Sequence, residues 1–249
     1  MKEQRWRPHV SEGSAKPGFD GVIFLPGLLC DEKLFAPQVS ALQGQYEIEV
    51  PNLGGYDSFE AMARGVLAAT RFERFALAGL SMGGALAMNM VRWHPTRIDR
   101  LAVLDANPRA DDEARRQNRR RQLAQARELG VGNLTRNELS KVYLAPQNQT
   151  PELIDIAVQM AQGHGADVYE RQLNALMGRQ DSIDHLSAYN GPTLVLCGEL
   201  DALCLPQWHV EMADAFPNAT LSMIPGAGHL ATIEAPAEVN AALLEWLRR

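Results

Sequence analysis

Residues 75–94 read FALAGLSMGGALAMNMVRWH. A short run of small apolar residues enters Gly79-Leu80-Ser81-Met82-Gly83, a G-x-S-x-G turn, and leaves it in a segment of helical periodicity. Between a strand and a helix, that turn holds its serine on a strained backbone with the hydroxyl exposed. The glycines are needed because a side chain at 79 or 83 would meet the neighbouring backbone. The first N–H groups of the following helix have no partners inside it, so they point at the same hydroxyl and favour negative charge there. Ser81 is therefore the candidate nucleophile.

Outward from this turn, apolar β-rich runs occur at 21–26 (GVIFLP), 46–50 (YEIEV), 75–79 (FALAG) and 101–105 (LAVLD). Helical periods separate them at 34–42, 59–72 and 82–94. That alternation is how a parallel sheet covered by helices reads. It stops at residue 108: from there to 189 only helical periods are found, at 110–129, 138–144, 152–162 and 167–177. Strand patterns resume at 192–197 (PTLVLC) and 219–224 (ATLSMI), and an amphipathic helix spans 236–247. The expected architecture is α/β: a mostly parallel, doubly wound sheet with an inserted helical cap. Its core comprises residues 19–107 and 190–249, its cap residues 108–189, and a polar arm residues 1–18.

Composition narrows the function. The 249 residues include 24 Lys+Arg and 30 Asp+Glu, a formal net charge of 24 − 30 = −6, which argues against a nucleic-acid partner. Hydrophobic residues at 46% and charged residues at 22% are ordinary for a globular domain. Cys30, Cys197 and Cys204 form no C-x-x-C pair, so neither a disulfide framework nor a zinc site is expected. No apolar leader or membrane span is legible, and a cytoplasmic protein without membrane attachment is the expectation. Neither a metal motif nor a G-x-G-x-x-G turn after a strand occurs, so no cofactor and no metal are expected. Oligomeric state is not encoded in any visible pattern.

A serine hydroxyl needs a base. His229 lies in Pro225-Gly226-Ala227-Gly228-His229, just after the last strand pattern and on the same sheet edge as Ser81. His94, His164, His185 and His209 fall in helical or cap context, and His9 in the arm. An acid must then orient the imidazole. Asp201, after the strand TLVLC, gives the chain order Ser, Asp, His; Asp105, ending LAVLD, and Glu199 are the competing carboxylates. The oxyanion of an acyl-transfer reaction needs two N–H donors, for which Met82 and Leu28, beside Gly27 on the loop after the first strand, are the candidates.

The blocks LPGLLCDEKLF, GLSMGGALA, PTLVLCGELDALCLP and GAGHLATIEAPAEV together resemble the α/β-hydrolase superfamily, in particular its small capped esterases and enol-lactonases. They run from Gly21 toward the C-terminus, and Pro26 departs from the histidine that many members carry before the oxyanion glycine. The resemblance implies a serine hydrolase that acts on a small-molecule ester or lactone. It does not separate ester, enol-lactone and carbon–carbon hydrolysis, and a slow-turnover binding protein on the same scaffold is the alternative from another class.

Phe35 resembles an aromatic pocket position of that family. With Leu28 and Leu29 below and Met160, Leu176 and Met177 above, an apolar pocket for a small or medium uncharged acyl group is expected. Cys30 reads as a small buried hydrophobe. The run Arg115, Arg116, Arg119, Arg120 and Arg121 reads as a solvated helix face balanced by Asp111, Asp112 and Glu113.

Overall fold

A computed structural model describes residues 18–249; the expected arm, His9 included, lies outside the described residues except for Gly18. Six strands form one sheet: β1 (Gly21–Leu25), β2 (Ile48–Glu49), β3 (Phe75–Leu80), β4 (Ile98–Leu104), β5 (Thr193–Gly198) and β6 (Ala219–Ile224). Their order is β2-β1-β3-β4-β5-β6, and every neighbouring pair is parallel. Every residue of β1, β3, β4 and β5 is buried, as expected of strands covered on both faces.

The two-residue alternation of each strand divides the core. Val22, Phe24, Ala76, Ala78, Ala102, Leu104, Leu194 and Leu196 pack on one face with Leu243 and Trp246 of the C-terminal helix Pro236–Arg248. Ile23, Leu25, Leu77, Leu101, Val103 and Val195 pack on the other, against the helices Phe59–Ala69 and Met82–Trp93. A helix at Pro206–Ala215, not anticipated from the sequence, covers this second face with Met212. It had two signals: Pro206 at its first turn, and the crossover that two parallel strands, β5 and β6, require.

Between β4 and β5 all regular structure is helical. Glu113–Leu129 is capped by Asp112, whose side chain accepts the Arg115 N–H at 2.8 Å; this places its start three residues later than the sequence pattern suggests. Short helical turns cover Val131–Tyr143, with a π-type turn at Thr135–Leu139. The two helical periods expected at 152–162 and 167–177 form one helix, Pro151–Gly178, broken at Gly165, where φ is +77°. Among the described residues no helix is long and apolar enough to cross a membrane.

Candidate active site

The turn after β3 has the anticipated form. Ser81 sits at φ 57° and ψ −113°, a conformation an L-residue holds only when its surroundings enforce it. A Cβ at Gly79 would lie 2.2 Å from the Gly83 carbonyl oxygen, and one at Gly83 would lie 2.0 Å from that of Leu25. Neither neighbour can yield, because both are backbone. The helix Met82–Trp93 begins at the next residue and is buried continuously from Met82 to Val91, which fixes the serine rigidly. As the first helical residue, Met82 has an N–H with no acceptor inside the helix.

Ser81, His229 and Asp201 are joined by hydrogen bonds. His229 Nε2 lies 2.9 Å from Ser81 Oγ, and His229 Nδ1 lies 2.8 Å from Asp201 Oδ2. With Nδ1 donating to the carboxylate, Nε2 is left to accept the serine proton. Asp201 Oδ1 in turn accepts the N–H groups of Leu203 at 2.8 Å and Cys204 at 2.9 Å, so both carboxylate oxygens are held. Burial alone disfavours a charged imidazole, but the adjacent Asp201 carboxylate outweighs it and holds His229 well above the ordinary histidine range. Tyr143 packs its ring 5.6 Å from the imidazole.

The competing acid, Asp105, lies close by but in a different state. Its Oδ1 accepts the Gly198 N–H at 2.7 Å, while Oδ2 is buried without a partner. Burial, reinforced by the charge of Asp201, pushes its pKa well above the usual carboxylate range. No hydrogen bond joins it to His229 among the described residues. The ligand atoms of Asp201, Cys204 and His229 lie within 4.8 Å of one another, but both imidazole nitrogens and both Asp201 oxygens are engaged in the bonds above. Of the other histidines, His209 donates Nδ1–H to the Leu205 carbonyl and accepts the Ala106 N–H at Nε2; burial pushes it down to about 4.

The loop after β1 carries Leu28, and residues from the inserted helices hold it. Leu29 adopts φ +58°, and its N–H donates to Oε1 of the buried Gln172 at 2.9 Å. His164 Nε2 lies 2.9 Å from the Cys30 carbonyl oxygen. Both partners come from the long helix Pro151–Gly178, more than a hundred residues away in sequence. Sequence reasoning missed Gln172, since a glutamine inside a helical period carries no signal.

A cavity of about 260 Å³ opens at Ser81 and is lined by Leu28, Met82, Leu176, Tyr143, Cys204 and others. Leu29, Phe35, Met160 and Met177, expected as pocket residues, are not among its lining. Leu29 turns its side chain into the core, Phe35 is fully buried and stacked on Phe24 at 4.7 Å, and Met160 and Met177 pack within the helical layer. The walls are not wholly apolar either. Arg115, Arg119 and Arg179 line the cavity together with Asn107, Asn118, Gln122 and Glu138. The arginine run is thus split by helical phase: Arg115 and Arg119, one turn apart, face inward, whereas Arg120 pairs with Glu113 and Arg121 with Glu138 on the outside.

The match to known proteins is consistent along the chain. Residues 21–236 match the family described as alpha/beta hydrolase fold. A thermophilic esterase from Thermogutta terrifontis, solved with malate bound, superimposes with a TM-score of 0.83 at 30% identity, covering 91% of this chain and 89% of that one. The enol-lactonase from Burkholderia xenovorans LB400 shares the fold with a TM-score of 0.83 at 21% identity, over 93% of each chain. A relative from Caulobacter sp. (strain K31), which carries the provisional name carbamate hydrolase RutD, is 26% identical over 96% of this chain and 94% of its own. The chain belongs to the alpha/beta hydrolase fold family and is a hydrolase enzyme.

Proposed function

We propose that this enzyme is a serine hydrolase that cleaves a carboxylic ester through an acyl-enzyme, with residues 108–189 as the cap over its site. The single observation that supports the reading most is the continuous hydrogen-bonded chain from Ser81 through His229 to Asp201 at the wall of a small cavity. In this reading His229 Nε2 takes the proton as Ser81 Oγ attacks the ester carbonyl, and Asp201 stabilises the imidazolium that forms. The tetrahedral oxyanion is held by the N–H groups of Met82 and Leu28. Collapse of the intermediate expels the alcohol, which receives the proton from His229. Water then enters, gives its proton to His229 and attacks the acyl carbon, releasing the acid and restoring Ser81.

A fluorophosphonate probe tests this directly, because only a serine beside a base is activated toward phosphorus. One adduct per chain is expected, at Ser81, and Ser81→Ala should abolish both labelling and the hydrolysis of a short-chain methyl ester while leaving the circular dichroism spectrum unchanged. Labelling that persists in Ser81→Ala would overturn the assignment.

A further inference from the structure

The cavity holds polar groups for which the proposed chemistry at Ser81 has no use. Three guanidinium groups, Arg115, Arg119 and Arg179, line it against one carboxylate, Glu138, which is already paired with Arg121 from outside. Arg119 and Arg179 are also answered, both by the buried Asp111. Arg115 is not: among the described residues it has no carboxylate partner, and its guanidinium lies over the Trp208 ring, 4.8 Å from the centroid. That contact anchors the guanidinium against the ring, and among the described residues none of its N–H groups donates a hydrogen bond to the protein. A second group points the same way. Asn107 lines the cavity, is 7% exposed, and spends its Oδ1 on the Arg109 N–H at 3.0 Å, leaving Nδ2 a buried donor with no acceptor. A buried donor without a partner is costly, and a ligand acceptor removes the cost.

We propose that Arg115 and Asn107 form a carboxylate subsite, so that the substrate is an ester bearing a second, free carboxylate away from the scissile bond. This rests on the ester-hydrolase reading and deepens it by naming the substrate class. A carboxylate is the fitting ligand because its two oxygens match the edge of a fixed guanidinium and accept from an amide N–H as well. The chain as a whole carries −6, so a local cationic wall is also what allows an anion to enter against the overall charge.

The test has two arms. In the first, kcat/KM is measured by pH-stat for the monomethyl esters of succinate, glutarate and adipate beside methyl butanoate, pentanoate and hexanoate, and for 4-acetoxybutanoate beside butyl acetate. At least one acid should exceed its neutral counterpart tenfold or more. Arg115→Leu should reduce that ratio at least tenfold, Arg115→Lys should keep part of it, and the isosteric Asn107→Asp, which replaces a donor by a negative charge, should reduce it too. Arg120→Ala, on the outer face, should leave the ratio unchanged. Acids hydrolysed no better than neutral esters, or a preference that survives Arg115→Leu, would overturn the subsite. In the second arm, calorimetry follows glutarate binding to Ser81→Ala protein, with and without Arg115→Leu. Binding that depends on Arg115 in a protein whose wild type hydrolyses no ester would sink the ester reading and keep the subsite; hydrolysis of neutral esters without glutarate binding would do the reverse.

Discussion

At the residue scale, two neighbouring acidic side chains, Asp201 and Asp105, differ in how their oxygens are held. Asp201 has both oxygens hydrogen-bonded, whereas Asp105 keeps one oxygen bare in the interior, where burial pushes its pKa up. Asp201→Asn removes the charge and offers an amide where Nδ1–H needs an acceptor, so kcat should fall about 10⁴-fold. Asp105→Asn keeps the carbonyl that accepts from Gly198, and its effect on kcat should stay within about fivefold. Steady-state kinetics of the two variants on one ester decide the matter, and reversed results would move the acid to β4. The raised pKa of His229 gives a further outcome. In the proposed mechanism only the neutral imidazole accepts the serine proton, so the acid limb of the kcat/KM profile should lie on the alkaline side of 6.5, the ordinary histidine value, and rates should rise as pH increases through it. Stability runs the other way: the ion pair with Asp201 contributes fully below pH 6.5 and is lost as pH rises through the raised value. A pH–rate profile with its acid limb below 6.5 would contradict the electrostatics described above.

At the element scale, the inserted helices do more than cover the sheet. Gln172, on the long helix Pro151–Gly178, holds the Leu29 N–H and so fixes the neighbouring Leu28 N–H. Gln172→Leu keeps the volume but leaves a buried N–H unpaired, at about 1–3 kcal/mol, and lets the loop relax. If Leu28 N–H holds the oxyanion as proposed, kcat should fall about tenfold or more while KM changes less than about threefold, since the lost contact would then matter chiefly when the oxyanion forms. Equal losses of kcat and Tm-corrected folded fraction would show a purely structural role. Elements also show how far the sequence could be read. The strands and the elbow were legible because β periodicity, glycine spacing and strand-to-helix order each constrain the same residues. The lining of the cavity was not. Arg115 and Arg120 are both arginines in one polar helix, and only the rotation of that helix against the other inserted helices, which side-chain packing decides, sends one to the cavity and the other to solvent. The helix Pro206–Ala215 was missed for a related reason: only His209 and Met212 of it are buried, too few to mark a face.

At the scale of the whole molecule, the strand order explains why distant residues meet. The chain leaves β1 toward β2 on one side and then crosses to β3 on the other, so the loops after β1 and β3, carrying Leu28 and Ser81, open beside each other at the carboxyl edge. Asp201 and His229 follow β5 and β6 on that same edge, so all the strand ends were legible as one site before the packing was known. The wide spacing has a kinetic consequence. Ser81 and His229 are 148 residues apart, and β5 and β6 are made only after the long helical insertion, so in the proposed mechanism a partly folded chain lacking the last two strands would hold no activated serine. Local helices form early and distant strand pairings late. During refolding from denaturant, the recovery of fluorophosphonate reactivity should therefore lag the recovery of helical circular dichroism. The serine thus serves as a clock for the docking of the sheet's final edge.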